Sequence, residues 1–183
     1  MRIVGGRLAR RTIDAPKGGR TRPTTDRVRE ALFNLLGARL DLGGAAVADL
    51  FAGSGALGLE ALSRGAAHVT FVERHGPTLA VARRNAAALG VEGRAAFVRA
   101  DAVKTLRRGA PGPFDLVLAD PPYDLAELPD LPALARPALA PGGLLALEHD
   151  ARHGFEGGAG WLLSRTYGGT VVSLFGGAGD EEG

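Results

Sequence analysis

Short apolar runs, separated by glycine- and proline-rich breaks, recur along the chain. Ala45–Leu50, His68–Glu73, Ala95–Arg99, Phe114–Ala119 and Leu144–Glu148 each read as a short strand. The first, rich in Ala, Val and Leu, suits a strand covered on both faces. Between the runs the apolar period changes. Leu57, Leu59 and Leu62 recur at helical spacing before Gly65, and the stretch from Pro77 through Leu79–Leu89 runs to a C-capping Gly90. A further helix is predicted around Leu131–Leu139, stopping at Pro141-Gly142-Gly143. Strands alternating with helices predict a parallel α/β sheet. Trp161–Tyr167 and Thr170–Phe175 flank Gly168-Gly169 as a hairpin. A tight turn joins only antiparallel neighbours, so this pair adds one antiparallel strand to a seven-stranded, mostly parallel Rossmann-like sheet.

The N-terminal pattern differs. Arg2-Ile3-Val4 and Leu8–Ile13 lie on either side of Gly5-Gly6 and predict a β-hairpin. Residues 14–22, with a proline, two glycines and three cations, read as a loop. Asp26 then opens a helix whose Val28, Ala31, Leu32, Leu35 and Leu36 share one face, with Arg27 and Arg29 expected to point away from it. Residues 1–22 are therefore expected to form a basic arm, 23–176 the main domain and 177–183 a disordered tail.

Composition narrows the class of protein. With 183 residues, 45% hydrophobic and 23% charged, the chain is long enough for one domain with a real core. The absence of cysteine excludes disulfides and thiol nucleophiles, and the N-terminus lacks a signal-peptide core, so the cytoplasm is the expected setting. The four histidines are scattered, and no metal site is expected. Charge is unevenly placed: residues 1–40 hold ten Arg/Lys against three Asp/Glu, and the remainder twelve against seventeen. The arm cations Arg2, Arg7, Arg10, Arg11, Lys17, Arg20 and Arg22 face one acid, Asp14, which suits a polyanionic partner.

The candidate chemistry lies after the strands. Gly53-Ser54-Gly55 follows the first strand and precedes a helix, and with Gly58 it satisfies the G-x-G-x-x-G spacing of a nucleotide-binding turn. Asp49, Glu73, Asp101 and Asp120 sit at or near the ends of the first four strands. In an open parallel sheet those ends share the rim where ligands bind. Carboxylates there fit hydroxyl and amino groups better than a pyrophosphate. Glu73 stands where an acid would hold ribose hydroxyls, so an adenosine-containing cofactor fits, whether NAD or S-adenosylmethionine. Asp120-Pro121-Pro122-Tyr123 separates the two. Consecutive prolines fix a corner that presents a carboxylate, a carbonyl and an aromatic ring. Such a corner suits a planar heterocycle bearing an exocyclic amine and has no use in hydride transfer.

FAGSG, Glu73, Asp101 and the DPPY corner together resemble the S-adenosylmethionine-dependent amino-methyltransferases, whose signature is [DN]-P-P-[YF]. The segments MRIVGG, RPTTDRVREALFN and VADLFAGSGALGLEALSRGA are similar to the bacterial RsmD family, and the likeness runs from Met1 to about Phe175. That family methylates N2 of guanine 966 in 16S ribosomal RNA. The resemblance implies a class I methyltransferase fold. It places Asp49, Phe51, Gly53, Ser54, Gly55, Glu73, Arg74, Asp101, Ala102 and Asp120 around the cofactor. It also implies that Asp120 and the Pro121 carbonyl hold the guanine amine, with Pro122 fixing the corner and Tyr123 stacked on the base. The assembled or assembling small ribosomal subunit is the implied partner.

Three alternatives remain at this level. A DNA amino-methyltransferase would share cofactor and corner, although the chain shows no separate target-recognition domain. An inactive RNA-binding module would not need an intact DPPY. A dehydrogenase would use Gly58 and leave DPPY without a role.

Overall fold

The computed structural model describes residues 1–15, 25–109 and 112–177. Seven strands form one sheet: β1 (Ala46–Leu50), β2 (His68–Val72), β3 (Ala95–Val98), β4 (Phe114–Ala119), β5 (Leu139–His149), β6 (Trp161–Tyr167) and β7 (Thr170–Gly176). Their order is β3-β2-β1-β4-β5-β7-β6. Only β7 runs against the rest, inserted between β5 and β6. The chain starts at β1, winds outward to β3, then returns across the sheet to β4. β1 and β4 thus flank the topological switch point, where open α/β sheets bind ligands.

Both faces are covered. One carries α1 (Asp26–Gly37), α2 (Ala56–Ser63) and α3 (Gly76–Ala88), packed on Val47, Val69, Phe71, Leu116 and Leu118. The other carries α4 (Ala102–Arg107) and α5 (Leu131–Ala135), packed on Ala48, Leu50, Val117 and Leu145. Period-two alternation sends successive strand residues to opposite cores, which is why these strands read as continuous apolar runs. Thr25 caps α1, its hydroxyl accepting from Val28 N–H. Gly90, at φ +72°, follows α3.

Three expectations need correction, and one helix is added. The helix expected over Leu131–Leu139 ends at Ala135 in a short 3-10 turn, and β5 begins at Leu139, running through Pro141-Gly142-Gly143 with a register shift against β4. A bulge can accommodate proline and glycine inside a strand. The helix α4 was not foreseen, because six residues carry too little periodicity to be distinguished from a loop. Arg29 does not point away from the apolar face. It is buried, donating to the Arg2 carbonyl and paired with Asp26 at 2.7 Å. Finally, the N-terminal hairpin is reduced to one antiparallel bridge, Arg2 with Thr12, closing a broad turn and not a tight one at Gly5-Gly6.

That N-terminal segment is held by the body. Ile3 and Ile13 are buried in the helical core. Val4 and Gly5 N–H groups donate to the carboxylate of the wholly buried Glu60, and Leu8 N–H donates to Ser63 Oγ. Lys17, Arg20, Arg22 and the tail from residue 178 lie outside the described residues. Among the described residues, no helix is long and apolar enough to cross a membrane.

Candidate active site at the strand ends

Register brings the strand ends into one row: Leu50 pairs with Val72 and with Ala119, Val72 with Val98, and Ala119 with Leu147. The next residues along these strands are Phe51, Glu73, Arg99, Asp120 and Glu148. Three acids therefore share the rim. Glu148 is the one that sequence reasoning missed, because at the end of an apolar run it looked like a strand terminus; only the register shows it beside Asp120.

Beyond β1 the chain turns sharply. Phe51 adopts φ +61°, a left-handed conformation unusual for a bulky residue, and Gly53 and Gly55 follow at φ +57° and +82°. Strain of this kind persists where surrounding contacts impose it, and it clusters at ligand sites. Gly53 N–H donates to Glu73 Oε2 (3.2 Å) and His75 N–H to Glu73 Oε1 (2.7 Å), so Glu73 joins the turns after β1 and β2. A Cβ on Gly53 would approach only the Phe51 carbonyl, at 3.9 Å, leaving that side of the turn open to a ligand. A Cβ on Gly58 would lie 2.4 Å from Phe71 Cε1 and 2.8 Å from Val69 Cγ1. The third glycine of the G-x-G-x-x-G spacing thus serves helix–sheet packing.

The sequence-selected acids occupy different environments. Asp49 lies one residue inside the row, fully buried, with Oδ2 accepting from Gly58 N–H at 2.8 Å. Burial, and then the nearby charges of Asp120 and Glu73, hold its carboxyl well above the usual range, with the Gly58 bond opposing. Asp101 is the N-cap of α4, accepting from Lys104 N–H at 2.9 Å, and Ala102 is buried behind it. Asp101 stands three residues beyond the row, and Arg74 is exposed beside Glu73.

The DPPY corner leaves β4 beside the β1 turn. Pro121 is buried, and Asp120, Pro122 and Tyr123 are half-buried. Tyr123 Oη lies 3.2 Å from Thr170 Oγ1 and donates to Glu148 Oε1 at 3.5 Å. The tyrosine is thereby tied to β5 and to the terminal hairpin. Burial chiefly raises its phenol pKa, and the charges of Glu148 and Asp120 add to this.

The described arm cations, Arg2, Arg7, Arg10 and Arg11, do not converge. Arg2 pairs with Asp26 at 2.7 Å, and Arg11 donates to the Ala88 carbonyl at the end of α3. Arg7 and Arg10 are exposed, and Arg10 has φ +71°. A cleft of about 530 Å³ lies between the arm and α3, lined by Asp14, Ala15, His75, Thr78, Val81 and Arg84 among others. It adjoins the Glu73 turn through His75. Among the described residues no acid–histidine cluster could hold a metal.

A parallel sheet reversing at β1/β4, with a glycine turn on one side of the switch and DPPY on the other, defines a class I methyltransferase fold. The chain belongs to the family described as conserved hypothetical protein 95, the RsmD family, whose model matches residues 1–176. It is 37% identical over 182 residues to a Bacillus subtilis protein named "Putative rRNA methyltransferase YlbH", covering 96% of this chain and 98% of that one. Over 124 residues it is 43% identical to ribosomal RNA small subunit methyltransferase D of Escherichia coli K12, a match spanning 67% of this chain and 60% of that protein. A solved E. coli structure described as "Putative methyltransferase yhhF" superposes with a TM-score of 0.80 at 34% identity, covering 96% of this chain and 97% of that one.

Proposed function

We propose that this protein transfers a methyl group from S-adenosylmethionine to the exocyclic N2 amine of guanine 966 in 16S ribosomal RNA. Its setting is the cytoplasm and its substrate the assembled or assembling small subunit. The observation that carries the reading is the adjacency of two motifs. The glycine turn and DPPY leave neighbouring strands at the switch point, where Leu50 pairs with Ala119, so a methyl donor and an amine-bearing base would meet across one strand spacing of about 5 Å. The names of the relatives support ribosomal RNA over DNA.

The residues fit such a cofactor. The open side of Gly53 and the flanking carboxylates offer backbone close approach and acceptors for hydroxyl and amino groups. Gly53, Ser54 and Gly55 would lie along its methionine end, with Phe51 packing beside it and Asp49 near its amino group. Glu73 would take the ribose hydroxyls with Arg74 alongside, and Asp101 with Ala102 would border the adenine. S-adenosylmethionine supplies an electrophilic methyl group.

The chain's own residues do the rest. An exocyclic amine is a weak nucleophile because its lone pair is delocalised into the ring. Asp120 and the Pro121 carbonyl accept its two N–H groups and favour the pyramidal nitrogen on which charge develops. Asp120 accepts from and orients the neutral amine, and the proton that the nitrogen sheds once positive charge has developed leaves along the same hydrogen bond. Pro122 stiffens the corner and Tyr123 stacks on the base, which must leave its own stack to enter. Positioning supplies much of the acceleration. Arg7 and Arg10, with Arg2, Arg11, Lys17, Arg20 and Arg22 of the same arm, supply phosphate contacts.

The test offers labelled S-adenosylmethionine with small-subunit particles, naked 16S RNA or duplex DNA, followed by mass spectrometry of nuclease digests. Label on N2 of guanine 966 is expected. Label on duplex DNA, or on no nucleic acid, would overturn the reading.

A further inference from the structure

Asn85 is one of only two asparagines in the chain, and it sits in the interior of α3 at 3% exposure. Asparagine is a poor choice there on both counts: it is a weak helix former, and its amide must be satisfied once buried. The amide is fully used. Its Oδ1 accepts from Asp14 N–H at 2.8 Å, while Nδ2 donates to the Asp14 carbonyl and to the Ser54 carbonyl, both at 3.0 Å. One side chain therefore joins the N-terminal arm, 71 residues away, to the middle of the glycine turn, 31 residues away. Other bonds fix that turn at its ends: Gly53 N–H to Glu73, Gly55 N–H to the Ala52 carbonyl and, inside α2, Gly58 N–H to Asp49. Ser54 is the position held from α3.

We infer that Asn85 is a positioning residue that couples the Asp14 end of the arm to the cofactor turn, so that ordering at Asp14 and cofactor affinity rise together. The inference rests on the cofactor assignment above. Ser54 cannot shift without moving the amide that holds Asp14, and the chain leads directly from Asp14 into Lys17, Arg20 and Arg22. Energetic coupling of this kind is reciprocal: an Asp14 segment held in place favours cofactor, and cofactor on the turn favours an Asp14 segment held in place. A merely structural cross-link would stabilise the fold and leave both affinities alone.

The test uses calorimetry of the full chain with S-adenosylhomocysteine, beginning with wild type; no binding there would overturn the cofactor assignment itself. Asn85→Ala is expected to weaken binding about fivefold, since its one bond to the cofactor turn, at Ser54, is lost and a hydrogen bond is worth roughly fivefold in an equilibrium constant. Glu60→Gln is the control. It loosens the arm at Val4 and Gly5 but leaves the Asn85 bonds to Asp14 and Ser54 in place, and it is expected to lower the melting temperature while leaving affinity within twofold. Unchanged affinity in Asn85→Ala, or equal weakening in both variants, would overturn the coupling. Should the alanine variant fail to fold, amide hydrogen exchange in the wild type decides. S-adenosylhomocysteine is expected to slow exchange at the Asp14 amide and leave Val4 and Gly5 unaffected. An Asp14 amide indifferent to ligand would overturn it.

Discussion

Gly58→Ala tests whether the third glycine of the turn serves a ligand or the packing of α2. An alanine Cβ there would lie 2.4 Å from Phe71 Cε1, 2.8 Å from Phe71 Cζ and 2.8 Å from Val69 Cγ1. Carbon atoms prefer ~3.5–4.0 Å, so an opening of about 1 Å is required. The neighbours cannot easily yield: both side chains are fully buried, and Phe71 is stacked on Phe97 with centroids 5.2 Å apart. Overpacking of this kind costs about 1–3 kcal/mol, and replacing a helical glycine by alanine returns up to about 1 kcal/mol. A net loss of about 1–2 kcal/mol is expected, lowering the melting temperature by roughly 2–8 °C at this chain length. The assay pairs thermal unfolding by circular dichroism with calorimetric S-adenosylhomocysteine affinity, which is expected to stay within about threefold. Gly53→Ala is expected to behave oppositely: its Cβ meets no steric block, but φ +57° disfavours a side chain and the open side of the turn is filled. A Gly58→Ala protein with wild-type melting and lost affinity would refute the packing argument.

Three further outcomes are expected. Asp120→Ala abolishes methyl transfer while cofactor affinity stays within a few-fold, measured by product formation and calorimetry; affinity lost in parallel would move Asp120 into the cofactor site. Tyr123→Phe keeps the ring but loses the contacts to Thr170 and Glu148, so the RNA Michaelis constant rises a few-fold, and more in Tyr123→Ala, where stacking worth about 1–3 kcal/mol is lost; equal effects would show that the hydroxyl carries the whole role. Asp49 has a raised carboxyl pKa, so its contribution to stability is fully present below the unfolded value near ~4 and is lost as pH rises through the folded value. Asp49→Asn keeps an acceptor for Gly58 and removes that loss, so its melting temperature should gain on wild type between pH 4 and 8; a constant difference would deny the shift.

Most of the sheet was legible from the chain because apolar runs of about five residues, bounded by glycine and proline, leave few alternatives to buried strands. Ala45–Leu50 and Phe114–Ala119 correspond to β1 and β4 within a residue. The DPPY corner was legible for a similar reason: two prolines fix local geometry wherever the segment lies. What depends on distant partners was not. Arg29 carries a full charge on an apolar helix, and partners that include Asp26 and the Arg2 carbonyl make its burial tolerable. Asp49 and Asp101 looked alike as strand-end acids, yet one is buried against α2 and the other caps α4, because one falls a residue inside the row of strand ends and the other three residues beyond it. Glu148 joins the rim and Asn85 bridges two segments only once β5 and α3 are placed. Local composition determines which elements form; long-range register and burial determine which polar side chains meet.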